Sequence, residues 1–215
     1  MILNQILSDP ASALVTLGLI IVSIGMHEAA HAFTAYKLGD VTPKLQGRLT
    51  LNPLNHIDPI GLLFIAIAGI GWGRPVQFNP YNLKHPTRDA AIIAFAGPLS
   101  NIIMAIGAYA VLLLLFVFKF ISVEDLFIFR LIINFIVLNI ALAVFNLVPI
   151  DPLDGFKIVG GLLPPQLATK WYETQKYGMY VLLILLVTDS IKFIVDPVNY
   201  FIIDLFFQHF KSFLS

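Results

Sequence analysis

The sequence predicts an all-α polytopic membrane protein. It should have about four to five transmembrane helices, with a short re-entrant or β segment between the first and the second. Three observations carry this. Hydrophobic residues make up 58% of the chain and charged residues 12%, against roughly 45–50% and about 25% in soluble domains. Mean hydropathy is +0.86. Several apolar runs reach the ~20 residues that a helix needs to cross a bilayer. With no linker, repeat or low-complexity tract, residues 1–215 read as a single transmembrane domain.

Composition also excludes partners. A formal net charge of zero provides no basic surface, so nucleic acid is not expected and membrane lipid is. Cysteine is absent, so any metal must be held by His, Asp or Glu. Ala30-His31-Ala32 mimics a signal-peptidase site, but no Lys or Arg precedes the apolar run. That run also exceeds the ~7–15 residues of a signal h-region.

The elements follow in order. Met1 to Ser12 is a short interfacial lead, with Asp9-Pro10 as a helix entry. Ala13 to Leu38 is the first span, ended by Gly39-Asp40. Val41 to Asp89 is rich in turn formers, among them Pro43, Gly47, Asn52-Pro53, Pro59, Gly69, Gly71, Gly73 and Pro75. Inside it, Ile60 to Ile70 is apolar but too short to span, and forms strands or a re-entrant segment packed near the first helix. Ala90 to Phe118 is the second span, broken near Gly97-Pro98, and Lys119 to Asp125 is a polar turn. Leu126 to Val148 is the third span, carrying Asn134, Asn139 and Asn146. Pro149 to Gly161 leaves the helix with Asp151 and Asp154. Leu162 to Lys176 is a loop or interfacial segment whose Trp171 and Tyr172 suit an aromatic belt. Tyr177 to Val195 is a fourth span, and Val198 to Leu214 is a fifth or an interfacial helix.

Charge sets the orientation. Lys37, Lys44, Arg48, Arg74, Lys84 and Arg88 lie between spans one and two. Lys157, Lys170 and Lys176 lie between spans three and four. Lys119, Arg130 and Lys192 fall on the other side, as would Glu124 and Asp125. The positive-inside rule then places Val41–Asp89 and the Asp154 loop in the cytoplasm and the N-terminus outside.

The polar stretch His27-Glu28-Ala29-Ala30-His31 is the anomaly in the first span. Charged groups at a helix centre cost about 2.5–3.5 kcal/mol even on the insertion scale, so three ionisable residues within five call for a function. Two His four apart share one helix face and can converge on one metal. Glu28 follows the first His as the general base does in H-E-x-x-H. His27 lies about 20 Å along the helix, toward its cytoplasmic end. A catalytic zinc needs a third protein ligand and one open position. Asp151 and Asp154 both qualify by side and depth, and spacing does not choose between them. His56 and Asp58 read as structural residues at the entry of the re-entrant segment rather than a second metal pair.

Together these pieces resemble the site-2 protease family of intramembrane zinc metalloproteases. The matching stretches are His27-Glu28-Ala29-Ala30-His31, Asn52-Pro53-Leu54-Asn55-His56-Ile57-Asp58-Pro59, Gly97-Pro98-Leu99-Ser100-Asn101, and Asn146-Leu147-Val148-Pro149-Ile150-Asp151-Pro152-Leu153-Asp154-Gly155. They run from the first helix past the third, as in the compact branch that lacks a PDZ or CBS domain. The resemblance implies that one Zn²⁺ is held by His27, His31 and Asp154, the Asp of Leu-Asp-Gly. It implies Glu28 as base and Asn146 as an assisting residue, in a multi-pass protein of a prokaryotic cell membrane.

The reaction expected is hydrolysis of a membrane-spanning protein substrate, which must unwind locally to be cut. Gly-rich strands between Ile60 and Phe78 would hold the unwound chain by β-addition. Water would reach the site along Asp40, Asn101, Asn146 and Asp151. Two other classes share the polar residues: a transporter using them as an ion pathway, and an inactive relative that only binds partners. Neither accounts for Glu28 beside two ligand-spaced His.

Overall fold

The computed structural model describes residues 8–68, 71–121 and 126–214. Met1–Leu7, Gly69, Ile70, Glu124 and Asp125, which figure in the expectations above, lie outside this set. Backbone packing groups the chain into two units, Met1–Ser100 and Asn101–Ser215.

In the first unit, helix α1 spans Pro10–Lys37. Asp9 starts it, accepting from the Ser12 N–H at 3.1 Å, and Pro10 fills the first turn, where its missing N–H costs nothing. Gly39, at φ +107°, turns the chain away. A short helix α2, Thr42–Leu45, and a 3₁₀ turn at Pro53–His56 follow. Helix α3, Pro59–Ala68, comes next. Residues 71–79 form no helix; a second 3₁₀ turn at Pro80–Asn82 and α4, Pro86–Val117, follow.

The strands expected between Ile60 and Phe78 are not formed. Among the described residues the sole β contact is one antiparallel bridge, Ile57 to Gly73. Asp58-Pro59 decides this. The Asp58 carboxylate accepts from the Ile60 and Gly61 N–H groups at 2.8 and 3.3 Å, a helix cap with Pro in the first turn. A helix satisfies its own backbone, whereas an isolated strand in apolar surroundings does not. Ten residues rise about 15 Å, so α3 is too short to cross a bilayer.

The second unit holds α5, Leu126–Asn146, then α6, Asp154–Leu162, and α7, Pro165–Glu173. Two further helices follow, α8, Gln175–Val187, and α9, Lys192–Leu214. Their core is aliphatic: Ala105, Ile136, Ile140, Val144, Leu182 and Val195 cluster together. Apolar side chains also face outward, including Ile103, Ile106, Val111 and Leu114 on α4, as a lipid-facing surface requires.

α1, α4 and residues 127–146 of α5 are long and apolar enough to cross a membrane. The expected fourth span, Tyr177–Val195, is not one helix. It breaks after Val187, where Asp189 takes a positive φ of 61° and pairs with Lys192. α8 and α9 meet there at 73° and make a fourth span only if the bent pair crosses as one. Polar Thr188-Asp189-Ser190 stops the helix, and the expected fifth helix begins earlier, at Lys192. In α7 the Trp171 indole donates to the Phe156 carbonyl at 2.8 Å and stacks on the Phe156 ring.

Candidate metal centre

α1 places His27 and His31 one turn apart, both buried, with ring centroids 4.6 Å apart. Gly97 of α4 backs onto them. A Cβ at that glycine would lie 2.5 Å from Nε2 of His27 and equally close to Nε2 of His31. The two nitrogens therefore address one small volume, and only a residue without a side chain leaves it open. The His31 Nδ1 lies 2.7 Å from the Ile93 carbonyl. A carbonyl can only accept, so Nδ1 carries the proton and Nε2 presents the lone pair. Pro98, next to Gly97, withdraws one helical N–H and loosens α4 at this level. The donor set and its tautomer suit a borderline-soft divalent ion.

Glu28, next to His27 on α1, is half-buried. Its Oε2 accepts the Val76 N–H at 3.0 Å from the non-helical stretch 71–79. The Asn52-Pro53 turn lies flush on α1: a Cβ on Gly25 would come within 2.4 Å of the Pro53 Cβ. The re-entrant segment is thus fastened to the helix at Gly25 and at Glu28.

Four polar residues hold that segment. Asp40 is fully buried and accepts from Thr42 N–H, Thr42 Oγ1, Asn79 N–H and Asn82 Nδ2. Burial alone would raise its pKa, but these donors outweigh it and hold the carboxyl below its ordinary value. Arg48, 3% exposed, donates to the carbonyls of Asn55, Arg74 and Pro75. Burial lowers its pKa and the Glu28 carboxylate opposes that. His56 donates through Nε2 to the Thr50 carbonyl at 3.0 Å, and burial pushes its pKa down. Asp58 caps α3 and accepts from the Trp72 indole. His56 and Asp58 thus act structurally, as their position at a turn suggests.

The other sequence-derived candidates lie in the second unit. Asp154 opens α6 and is 9% exposed. Asp151 is turned to α8, accepting from Gln175 Nε2 at 3.0 Å. Within this unit, then, Asp151 is committed to a neighbouring helix while Asp154 sits at a helix N-terminus. The Asn146 amide donates to the Leu142 carbonyl at 2.9 Å, a bond back to its own helix end. The expected water path finds its groups bonded to protein. Asp40 is saturated as described, and Asn101 donates to Asn139 at 2.9 Å, both fully buried.

Sequence reasoning missed three contributors. Gly97 was visible as half of a helix-breaking pair and in a matching stretch, but with no role at the site. Arg48 counted as one loop charge among several. Val76 acts through its backbone, which no side-chain pattern reveals.

The family model described as Peptidase family M50 matches residues 117–188, which include Asn146 and Asp154. A Bacillus subtilis (strain 168) protein named "Putative zinc metalloprotease YwhC" is 41% identical over 183 residues, covering 83% of this chain and 82% of that one. Proteins carrying the same description with the name Rip2 match in two mycobacteria. That of Mycolicibacterium smegmatis is 32% identical over 178 residues, 80% of this chain and 66% of that one. That of Mycobacterium tuberculosis (strain ATCC 25618 / H37Rv) is 28% identical over 191 residues, 86% and 71%. No solved structure matches the chain. Identity at the level of the Bacillus protein, over most of both chains, shows the kinship: this chain belongs to peptidase family M50, the site-2 protease family.

Proposed function

We propose that the protein is an intramembrane zinc metalloprotease that hydrolyses peptide bonds of membrane-spanning protein substrates. The observation that carries this is the convergence of His27 and His31 Nε2 on the volume in front of Gly97, with Glu28 next to His27 on the same helix. His27, His31 and Asp154 hold one Zn²⁺. Support for Asp154 comes from the Leu-Asp-Gly resemblance, from its burial at the start of α6, and from the engagement of Asp151 with Gln175. The relatives' zinc metalloprotease names point the same way.

Zinc, when bound, supplies Lewis-acid activation of water and of the scissile carbonyl. The remaining work belongs to the chain. Glu28, steadied at Oε2 by Val76, takes the water proton on Oε1 and passes it to the leaving amine. Asn146 donates to substrate or to the developing oxyanion, exchanging its bond to Leu142. Backbone groups beyond Val76, which Arg48, His56 and Glu28 do not occupy, take an unwound substrate by β-addition. By the Lys and Arg distribution the site faces the cytoplasmic half of a prokaryotic cell membrane.

The test is metal analysis together with cleavage of a single-span substrate in detergent or nanodiscs. Wild type should carry one zinc per chain and cleave. Asp154→Ala should lose zinc, and Glu28→Gln should keep it and lose cleavage. A metal-free wild type would sink the site, and undiminished cleavage by Glu28→Gln would sink the base.

A further inference from the structure

Arg48 is a buried cation that the chemistry above does not use. It stands 3% exposed, and its three hydrogen-bond partners are main-chain carbonyls drawn from two stretches, Asn55 on one side and Arg74 and Pro75 on the other. His56 reinforces the same seam: its Nε2 donates to Thr50, and its own carbonyl accepts the Arg74 N–H at 2.8 Å. The next residue along, Val76, donates to Glu28. A chain of bonds therefore runs from the guanidinium through Arg74 and Pro75 to the carboxylate. A charged guanidinium is costly to bury, and carbonyl partners alone offset that cost incompletely. The Glu28 carboxylate supplies the compensating field.

We propose that Arg48 is a positioning residue of the hydrolytic reaction: by bridging the Asn55, Arg74 and Pro75 carbonyls it fixes the backbone that presents the Val76 N–H to Glu28, and so aims the base. This rests on the reading of Glu28 as general base. The planar fork of arginine is required, because a lysine ammonium is a compact point charge that cannot span three carbonyls on two stretches. Loss of the bridge lets residues 73–76 drift. Displacement of a reacting group by about 1 Å costs on the order of 10²-fold in rate.

The test uses the full chain in nanodiscs with a single-span substrate. Arg48→Ala and Arg48→Lys should each retain one zinc per chain and lower kcat by about 10–100-fold, with KM held within about twofold. Added methylguanidine should restore part of kcat in Arg48→Ala and none in Glu28→Gln. Backbone hydrogen exchange at residues 73–78 should quicken in Arg48→Ala, a readout independent of turnover. Should Arg48→Ala fail to fold, Val76→Pro, which removes the N–H donor, should reproduce the kcat loss with zinc retained.

An Arg48→Ala enzyme with unchanged kcat overturns the proposal, as does a loss of kcat that tracks loss of zinc and resists methylguanidine. So does a fully active Val76→Pro. If Glu28→Gln silences the enzyme while Arg48→Ala does not, the inference fails alone. If Glu28→Gln cleaves normally, the reading of the base fails and takes the inference with it.

Discussion

Between Val41 and His85 the chain is held by polar side chains, whereas α5 to α9 are held by aliphatic packing. In the first region Asp40, Arg48, His56 and Asp58 together satisfy the backbone and side-chain groups of turns and extended stretches. In the second, Ile136, Ile140, Val144, Leu182 and Val195 form the core, with the Asn101–Asn139 bond as a polar contact within it. The difference follows from what each backbone does with its own N–H and C=O groups. Helices pair them internally, so their side chains are free to be apolar. Irregular chain at membrane depth must find partners elsewhere. The region that carries this polar scaffolding is also the one that bonds Glu28.

The contrast can be broken or sharpened, beginning with the largest effect. Glu28→Gln is expected to lower cleavage by roughly 10²–10⁴-fold, the usual worth of a general base, with thermal stability unchanged. A combined loss of stability and activity would mean that the Val76 bond is chiefly structural. Asp40→Ala strands four donors around a buried site and should cost at least about 3 kcal/mol. Its unfolding would be followed by scanning fluorimetry in detergent. A loss below 1 kcal/mol would remove Asp40 from the scaffold.

Gly97→Ala puts a methyl where both His Nε2 atoms point, and zinc affinity should fall about tenfold or more, read by competition with a chelator. Full affinity there would mean that α4 yields. Asn139→Leu, by comparison, should cost about 0.6 kcal/mol and at most ~1.7. A cost matching that of Asp40→Ala would erase the distinction between the regions.

The last is a pH dependence. Asp40 has a folded pKa below its ordinary 3.8. Its contribution to stability is present above that unfolded value and is lost as pH falls through the lower folded one. Wild type should therefore lose stability below about pH 4 more steeply than Asp40→Asn. Parallel acid profiles would assign the loss to another carboxylate.

How much of this could be read in advance differs by region. The first three spans were legible from hydropathy, because their apolar runs exceed what a bilayer needs. His27, Glu28 and His31 stood out because ionisable groups inside such a run are costly. The re-entrant segment was legible as irregular but not as helical. The capping bonds of Asp58 to Ile60 and Gly61 are local, yet the apolar run after Pro59 reads equally as strand or helix. The bend between α8 and α9 was blurred because Thr188-Asp189-Ser190 interrupts hydropathy too briefly to register across a long window.

The sequence by itself determined the membrane class, the candidate metal-binding helix and the family, since hydropathy and a short ordered set of motifs are properties of residue type and spacing. Tertiary structure decided which groups face one another. It set Gly97 behind the two imidazoles, gave His31 its tautomer through the Ile93 carbonyl, and delivered the Val76 N–H to Glu28. Each of these acts through backbone atoms or through the absence of a side chain. Every residue but proline carries the same backbone groups, so residue identity does not record where an N–H or a carbonyl is used.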